Sequence, residues 1–85
     1  MYVHADYSNF RYAPTSDSEF NICGQLPVGL QVQVLEVIEP YENSYNSSIR
    51  WARIAYSSDV SRYITNNSCF HSSQDFYVAH GYLRR

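Results

Sequence analysis

Alternating apolar and polar side chains are clearest between Leu30 and Val34. Leu30, Val32 and Val34 point one way, whereas Gln31 and Gln33 point the other. A period of two residues is typical of a half-buried antiparallel strand. Beyond this run apolar residues occupy both faces until the next proline, as they would where a strand bends across a small barrel.

Shorter strands are predicted in the first ten residues and in "FNICGQL", "RWARIAY" and "FYVAHGYLRR". In the Leu26–Gly29 turn, Gly29 is available for positive φ, and we expect the turn to bring the next strand back antiparallel. No segment has a sustained helical stripe, and at most one short helical turn is predicted, within residues 57–70. The pattern indicates an all-β fold of five to six antiparallel strands, a small barrel or partly open roll, closed by contacts between the first and last strands.

The strand pattern also predicts which residues form the interior of the barrel. The expected core residues are large and apolar: Leu26, Leu30, Val32, Val34, Ile54, Val78 and Leu83, joined by Ile22 and Val37.

The length of the chain limits it to a single domain over residues 1–85, because 85 residues leave no room for a second core. With 45% hydrophobic and 16% charged residues, the chain is globular. A formal net charge of −2 argues against nucleic acid as a partner, since phosphate contacts need clustered basic residues. No apolar run is long enough for membrane insertion.

The first ten residues lack the basic and apolar regions of a signal peptide. We therefore expect either a cytoplasmic protein or part of a larger, exported chain that works in the cell envelope.

Cys23 and Cys69 are the only cysteines. Two are too few for a disulfide scaffold or for a four-cysteine zinc site. Two free thiols are the preferred interpretation, and a single disulfide in an oxidising compartment is the alternative. No cofactor is indicated.

Four ordered blocks resemble bacterial SH3-like (SH3b) domains: "NFRYAPT", "ICGQLPVGLQVQVLE", "WARI" and "FYVAHGYL". They cover roughly two thirds of the chain and are similar to the family's "N-V-R-x-G-P-S", "V-I-G-T-L-x-x-G-x-x-V-x-V-L", "W-x-K-V" and "G-Y-V-x-x-x-Y-L" segments. Ala13 and Phe76 stand where the family has glycine. An atypical insertion, at about residues 57–75, replaces a tight hairpin before the last strand.

The resemblance implies an SH3-like barrel that binds without catalysis, often recognising peptidoglycan or its peptides beside a hydrolase. It also implies that Arg11 hydrogen-bonds carbonyl groups or pairs with an acidic partner such as Glu36. Matching family positions select Tyr12, Trp51 and Tyr82 as ligand-binding residues.

The chemistry of aromatic side chains also makes them candidates for ligand binding, independently of the family resemblance. A small barrel buries few rings, so several of the nine tyrosines, including Tyr56 and Tyr7, must be partly exposed and suit peptide or sugar recognition. The alternative is that tyrosine and asparagine only decorate exposed strands.

Two further function classes stay open. A cytoplasmic protein-interaction module, such as a phage- or toxin-system adaptor or inhibitor, fits the absent signal peptide and the insertion. A small cysteine hydrolase using Cys69 and His71, with Asp75 nearby, has the least support, because no oxyanion-hole context surrounds that segment. A metal site that joins these residues to His4 or His80 is equally poorly supported.

Overall fold

The computed structural model describes residues 1–16, 19–43, 48–70 and 75–85. Over these ranges the chain forms seven strands: β1 (Tyr2–Val3), β2 (Ser8–Arg11), β3 (Ile22–Leu26), β4 (Val34–Ile38), β5 (Trp51–Ile54), β6 (Phe76–Ala79) and β7 (Leu83–Arg84). The helical elements are one turn of α-helix, α1 (Ser58–Ser61), and 3₁₀ turns at Glu19–Asn21, Pro40–Glu42, Asn67–Cys69 and His80–Tyr82. The all-β prediction is confirmed, with short turns dividing the predicted first and last strands in two.

The strands of the described residues form two antiparallel sheets and not one closed barrel. One sheet has the order β3-β2-β6-β5-β4, and the other pairs β1 with β7, which confirms the predicted contact between the first and last strands. The run before β4 links the sheets. On one side the Val3 N–H donates to the Leu30 carbonyl at 2.9 Å, and on the other the Ala55 N–H donates to the Gln33 carbonyl at 3.0 Å.

The glycine turn does not make the predicted hairpin. The Leu30 N–H donates to the Pro27 carbonyl at 3.2 Å, and Gly29 has a φ of 92°, as in a type II turn. However, β3 and β4 lie at opposite edges of the five-stranded sheet. The turn therefore leads the chain towards β1 and not back alongside β3. The order of strands in the sheet is determined by pairing between strands that are distant in sequence.

One apolar cluster fills the interior. Its members are Val3, Phe10, Cys23, Leu26, Val32, Ala52, Ile54, Val60, Ile64, Cys69, Phe76, Val78 and Leu83. Among the other predicted core residues, Leu30 and Val34 are half-buried against this cluster and Ile22 is half-buried. Val37 is 38% exposed, so its prediction was wrong. It lies on an edge strand whose register shifts between Val34 and Glu36, and such a shift changes the face that later residues present.

The insertion is held against the edge of β3. Ser57 caps α1 by accepting a hydrogen bond from the Val60 N–H at 3.2 Å, and the helix buries Val60. A disulfide then joins Cys69 to Cys23, with a Cα–Cα distance of 5.7 Å. The preferred interpretation of two free thiols was therefore wrong, because folding brings together cysteines that are distant in sequence.

Arg11 hydrogen-bonds an asparagine side chain, and Glu36, its suggested acidic partner, pairs with another arginine. The Arg11 guanidinium donates to the Asn21 Oδ1 at 2.7 Å, while Glu36 accepts from Arg53 at 3.2 Å. Burial lowers the pKa of Arg11, although nearby Tyr82 and Glu19 act in the opposite direction. The hydrogen bond to Glu36 raises the pKa of Arg53.

Candidate functional site

The predicted ligand-binding aromatics do not form one surface. Trp51 is only 2% exposed at the start of β5, so its ring belongs to the interior and offers no face to a ligand. An indole in this position contributes to stability by burying a large apolar area.

Tyr12 and Tyr82 both lie near Arg11. Tyr12 is its neighbour in sequence, and Tyr82 acts on it electrostatically from the 3₁₀ turn before β7. Both tyrosines are a little over one third exposed, at 38% and 37%. The two tyrosines can serve as a modest contact surface around the guanidinium of Arg11, which already donates a hydrogen bond to Asn21.

Tyr56 lines a depression with a volume of about 840 Å³. Its ring stacks on Phe76 with centroids 5.3 Å apart and an interplanar angle of 23°. One face of this half-buried tyrosine is therefore already used inside the protein. We place the candidate site elsewhere, where more aromatic surface is exposed, although the depression there is smaller.

Tyr7 combines high exposure with an uncommon backbone conformation. Its side chain is 78% exposed, and its φ of 58° is the only positive value at a non-glycine position in the described residues. The left-handed region costs an ordinary L-residue roughly 1–2 kcal/mol. Strained residues of this kind cluster at functional sites, and a tyrosine as exposed as Tyr7 gains little from packing in return. Tyr7 is therefore the strongest single indication of a binding site.

Two adjoining depressions beside Tyr7 form a groove, which we name the Tyr7–Tyr63 groove. The first has a volume of about 480 Å³ and is lined by Asp6, Tyr7, Gln25, Leu26, Pro27, Val28 and Tyr63. The second, of about 610 Å³, is lined by Asn9, Ile22, Gly24, Gln25, Arg62, Tyr63 and Thr65. Gln25 and Tyr63 border both, so the two depressions adjoin each other along these side chains.

The insertion supplies one wall of this groove. After α1 the chain turns onto β3, where Ile64 bridges Gly24 and the Thr65 N–H donates to the Cys23 carbonyl at 2.8 Å. The Asn66 side chain donates to the Ile22 carbonyl at 3.1 Å and also to the carbonyl of Phe20 at 3.2 Å. Together with the disulfide, these bonds fix the position of Tyr63.

Gly24 permits this close approach. A Cβ at this position would collide with the carbonyl oxygen of Tyr63 and would also crowd the Phe10 ring. Glycine is the residue that allows two backbone segments to come this near each other. The site therefore depends on a residue whose role is steric and not chemical.

Among the described residues of the insertion, Val60, Ile64 and Cys69 are buried, whereas Phe70 is 56% exposed. Cys69 is bonded to Cys23 and has no thiol to act as a nucleophile. His71, its proposed partner, lies outside the described residues.

The described residues hold no group of three or more His, Cys, Asp or Glu side chains that could bind a metal ion. No helix in the described part of the chain has the length and apolar character to cross a membrane.

The sequence pattern selected Tyr7 as a binding residue but did not select three other residues that line the same groove. These are Gln25, Arg62 and Tyr63, which are distant from Tyr7 in sequence. The available signal was the apolar pair Tyr63–Ile64 within a polar insertion. Ile64 is buried and Tyr63 is half-buried, as expected for an anchor beside a contact residue.

No family model, curated protein or solved structure matches this chain. The relation to SH3b domains therefore stays a prediction from the four sequence blocks.

Proposed function

We propose that this chain is a non-catalytic, SH3-like binding module of bacterial type that recognises peptidoglycan or its peptides. The Tyr7–Tyr63 groove is the proposed binding surface. The observation that carries the proposal is Tyr7, an exposed aromatic residue held in the left-handed region at the mouth of a groove. Tyrosine presents a broad apolar face with a hydroxyl group at low entropic cost, which suits peptide and sugar ligands.

The SH3-like part of the proposal is supported by where the four sequence blocks lie. "NFRYAPT" begins in β2, "ICGQLPVGLQVQVLE" contains β3 and the start of β4, and "WARI" is β5. "FYVAHGYL" covers β6, the 3₁₀ turn and the first residue of β7. Each block thus includes a strand, and the insertion falls between the last two blocks.

The disulfide favours the cell-envelope version over the cytoplasmic adaptor. Cys23 and Cys69 are both fully buried and bonded to each other. Structural disulfides form and persist in oxidising compartments and are rare in the cytosol. The proposed site of action is therefore outside the cytoplasm, where peptidoglycan is found.

Co-sedimentation of the purified oxidised protein with purified bacterial sacculi tests the proposal. The wild type should sediment with the sacculi, and Tyr7→Asn should weaken binding about tenfold, as expected for an aromatic hot spot. Asparagine tolerates the left-handed region, so this variant removes the ring without disturbing the turn. Tyr41→Asn is the matched control, because Tyr41 is 85% exposed and is not among the groove residues.

Equal binding by both variants would exclude the groove as the binding surface, and no sedimentation above background would reject the cell-wall function. Co-purification of a stoichiometric protein partner, without binding to sacculi, would support the protein-interaction module instead.

A further inference from the structure

The Tyr7–Tyr63 groove has opposite charges in its two depressions. Asp6 lines the first depression only, and Arg62 lines the second only. All the other lining residues are uncharged. The groove is therefore electrically polar along its length, with a carboxylate on one side of the Gln25–Tyr63 boundary and a guanidinium on the other.

Both charges are accessible to a ligand. Asp6 is exposed and takes part in none of the ion pairs of the described residues. Arg62 contacts Asp59 at 3.7 Å, and the two side chains are 63% and 67% exposed. An ion pair this solvated contributes little, so a ligand carboxylate can compete for the guanidinium.

The neighbours of each charge suit a particular ligand group. Beside Asp6, the exposed Tyr7 ring can receive an ammonium through a cation–π contact in addition to the carboxylate. Beside Arg62, the side-chain amide of Asn9 is a further donor for a carboxylate, whereas the Thr65 hydroxyl already donates to the Cys23 carbonyl at 3.4 Å. The guanidinium itself can donate two parallel hydrogen bonds to a carboxylate.

We propose that the groove binds a short peptide with a free ammonium group and a free carboxylate. The ammonium lies between Asp6 and Tyr7, and the carboxylate lies at Arg62. This inference rests on the proposed function and names its ligand class as the peptide part of the wall. A neutral glycan would offer no opposite charge to Asp6 or Arg62.

The peptide is held by side chains and not as an added strand. The outer edge of β3 is already occupied in the groove, since the Cys23 carbonyl accepts hydrogen bonds from the N–H groups of Thr65 and Asn66 at 2.8 and 3.2 Å. Gly24 is bridged to Ile64 in the same way. Strand addition needs free backbone groups, which this segment of the edge does not offer.

The test is an NMR titration of the oxidised, isotope-labelled protein with tetraalanine. N-acetylated tetraalanine, the C-terminal amide and N,N′,N″-triacetylchitotriose are titrated in parallel. Free tetraalanine should shift the amide signals of Gln25 and Tyr63. Capping either end should weaken its binding about three- to tenfold, the range for an accessible charge-assisted contact.

Two variants assign each end of the peptide. Asp6→Asn should lose most of the preference for free over acetylated tetraalanine, and the cation–π contact of Tyr7 accounts for what is left. Arg62→Gln should likewise lose most of the preference for the free acid over the amide. Arg50→Gln is the matched control, because Arg50 is an exposed arginine that pairs with Glu39 and is not among the groove residues. This control should keep the full sensitivity to both caps.

Equal affinity of wild type for free and capped peptides would overturn the proposed ligand class. If triacetylchitotriose shifts the groove signals while tetraalanine does not, the ligand is glycan, and the proposed function survives without the peptide inference. If neither sacculi nor any of these probes bind, both proposals are wrong.

Discussion

Removing the disulfide should destabilise the whole domain and release the insertion first. The Cys23–Cys69 bond closes a loop with a sequence separation of 46 residues. For a loop of that size, the loss of chain entropy in the unfolded state corresponds to about 4 kcal/mol. A domain of 85 residues has a stability on the order of 4–13 kcal/mol, so this bond provides a large share of it.

The double variant Cys23→Ala, Cys69→Ala measures this contribution with least disturbance, because alanine leaves no unpaired polar atom in the core. Urea unfolding of the wild type and the variant, followed by Trp51 fluorescence, gives both midpoints. With a slope of about 1–1.5 kcal/mol/M for a small domain, the midpoint should fall by about 3–4 M, or the variant should be unfolded without urea.

Hydrogen exchange shows which part of a folded variant responds first. The amides of Thr65 and Cys69 should lose protection, since they belong to the segment that the bond fixes to β3. The amides of β5 and β6 should stay protected, because their strands pair with each other. If exchange increases equally in both regions, or if the midpoint stays within about 0.5 M of wild type, the assigned role of the disulfide is wrong.

Four substitutions test the backbone requirements, each by its urea midpoint. Gly29→Ala should cost about 1–2 kcal/mol through its positive φ alone, whereas Gly81→Ala should be neutral, since a Cβ meets no atom at either position; equal effects would refute the conformational cause. Gly24→Ala should cost about 2–3 kcal/mol and shift the amide signal of Tyr63, because the added Cβ pushes the insertion off β3; an unchanged signal would contradict this contact. Tyr7→Asn should stabilise the domain by about 0.5–1 kcal/mol, and a loss of stability would show that the tyrosine ring contributes to the fold.

Local features of the fold were predictable because their causes lie within a few neighbouring residues. The alternation around Val32 correctly predicted that Val32 faces the core and that the glutamines beside it face solvent. The strand expected from Leu30, however, begins only at Val34. Gly29 correctly predicted a turn with positive φ. The short helical turn predicted within residues 57–70 is α1, but the limit of one turn was wrong, because a 3₁₀ turn at Asn67–Cys69 follows it. The aromatic-rich composition likewise required exposed tyrosines, of which Tyr7 is one.

Only the tertiary structure decided how these pieces combine. The turn at Gly29 could not specify that β4 pairs with β5 instead of β3, because strand pairing depends on contacts between residues far apart in sequence. For the same reason, the sequence could not predict the disulfide between Cys23 and Cys69. The groove could not be predicted either, because Tyr7 and Tyr63 become neighbours only when the insertion folds across the edge of β3.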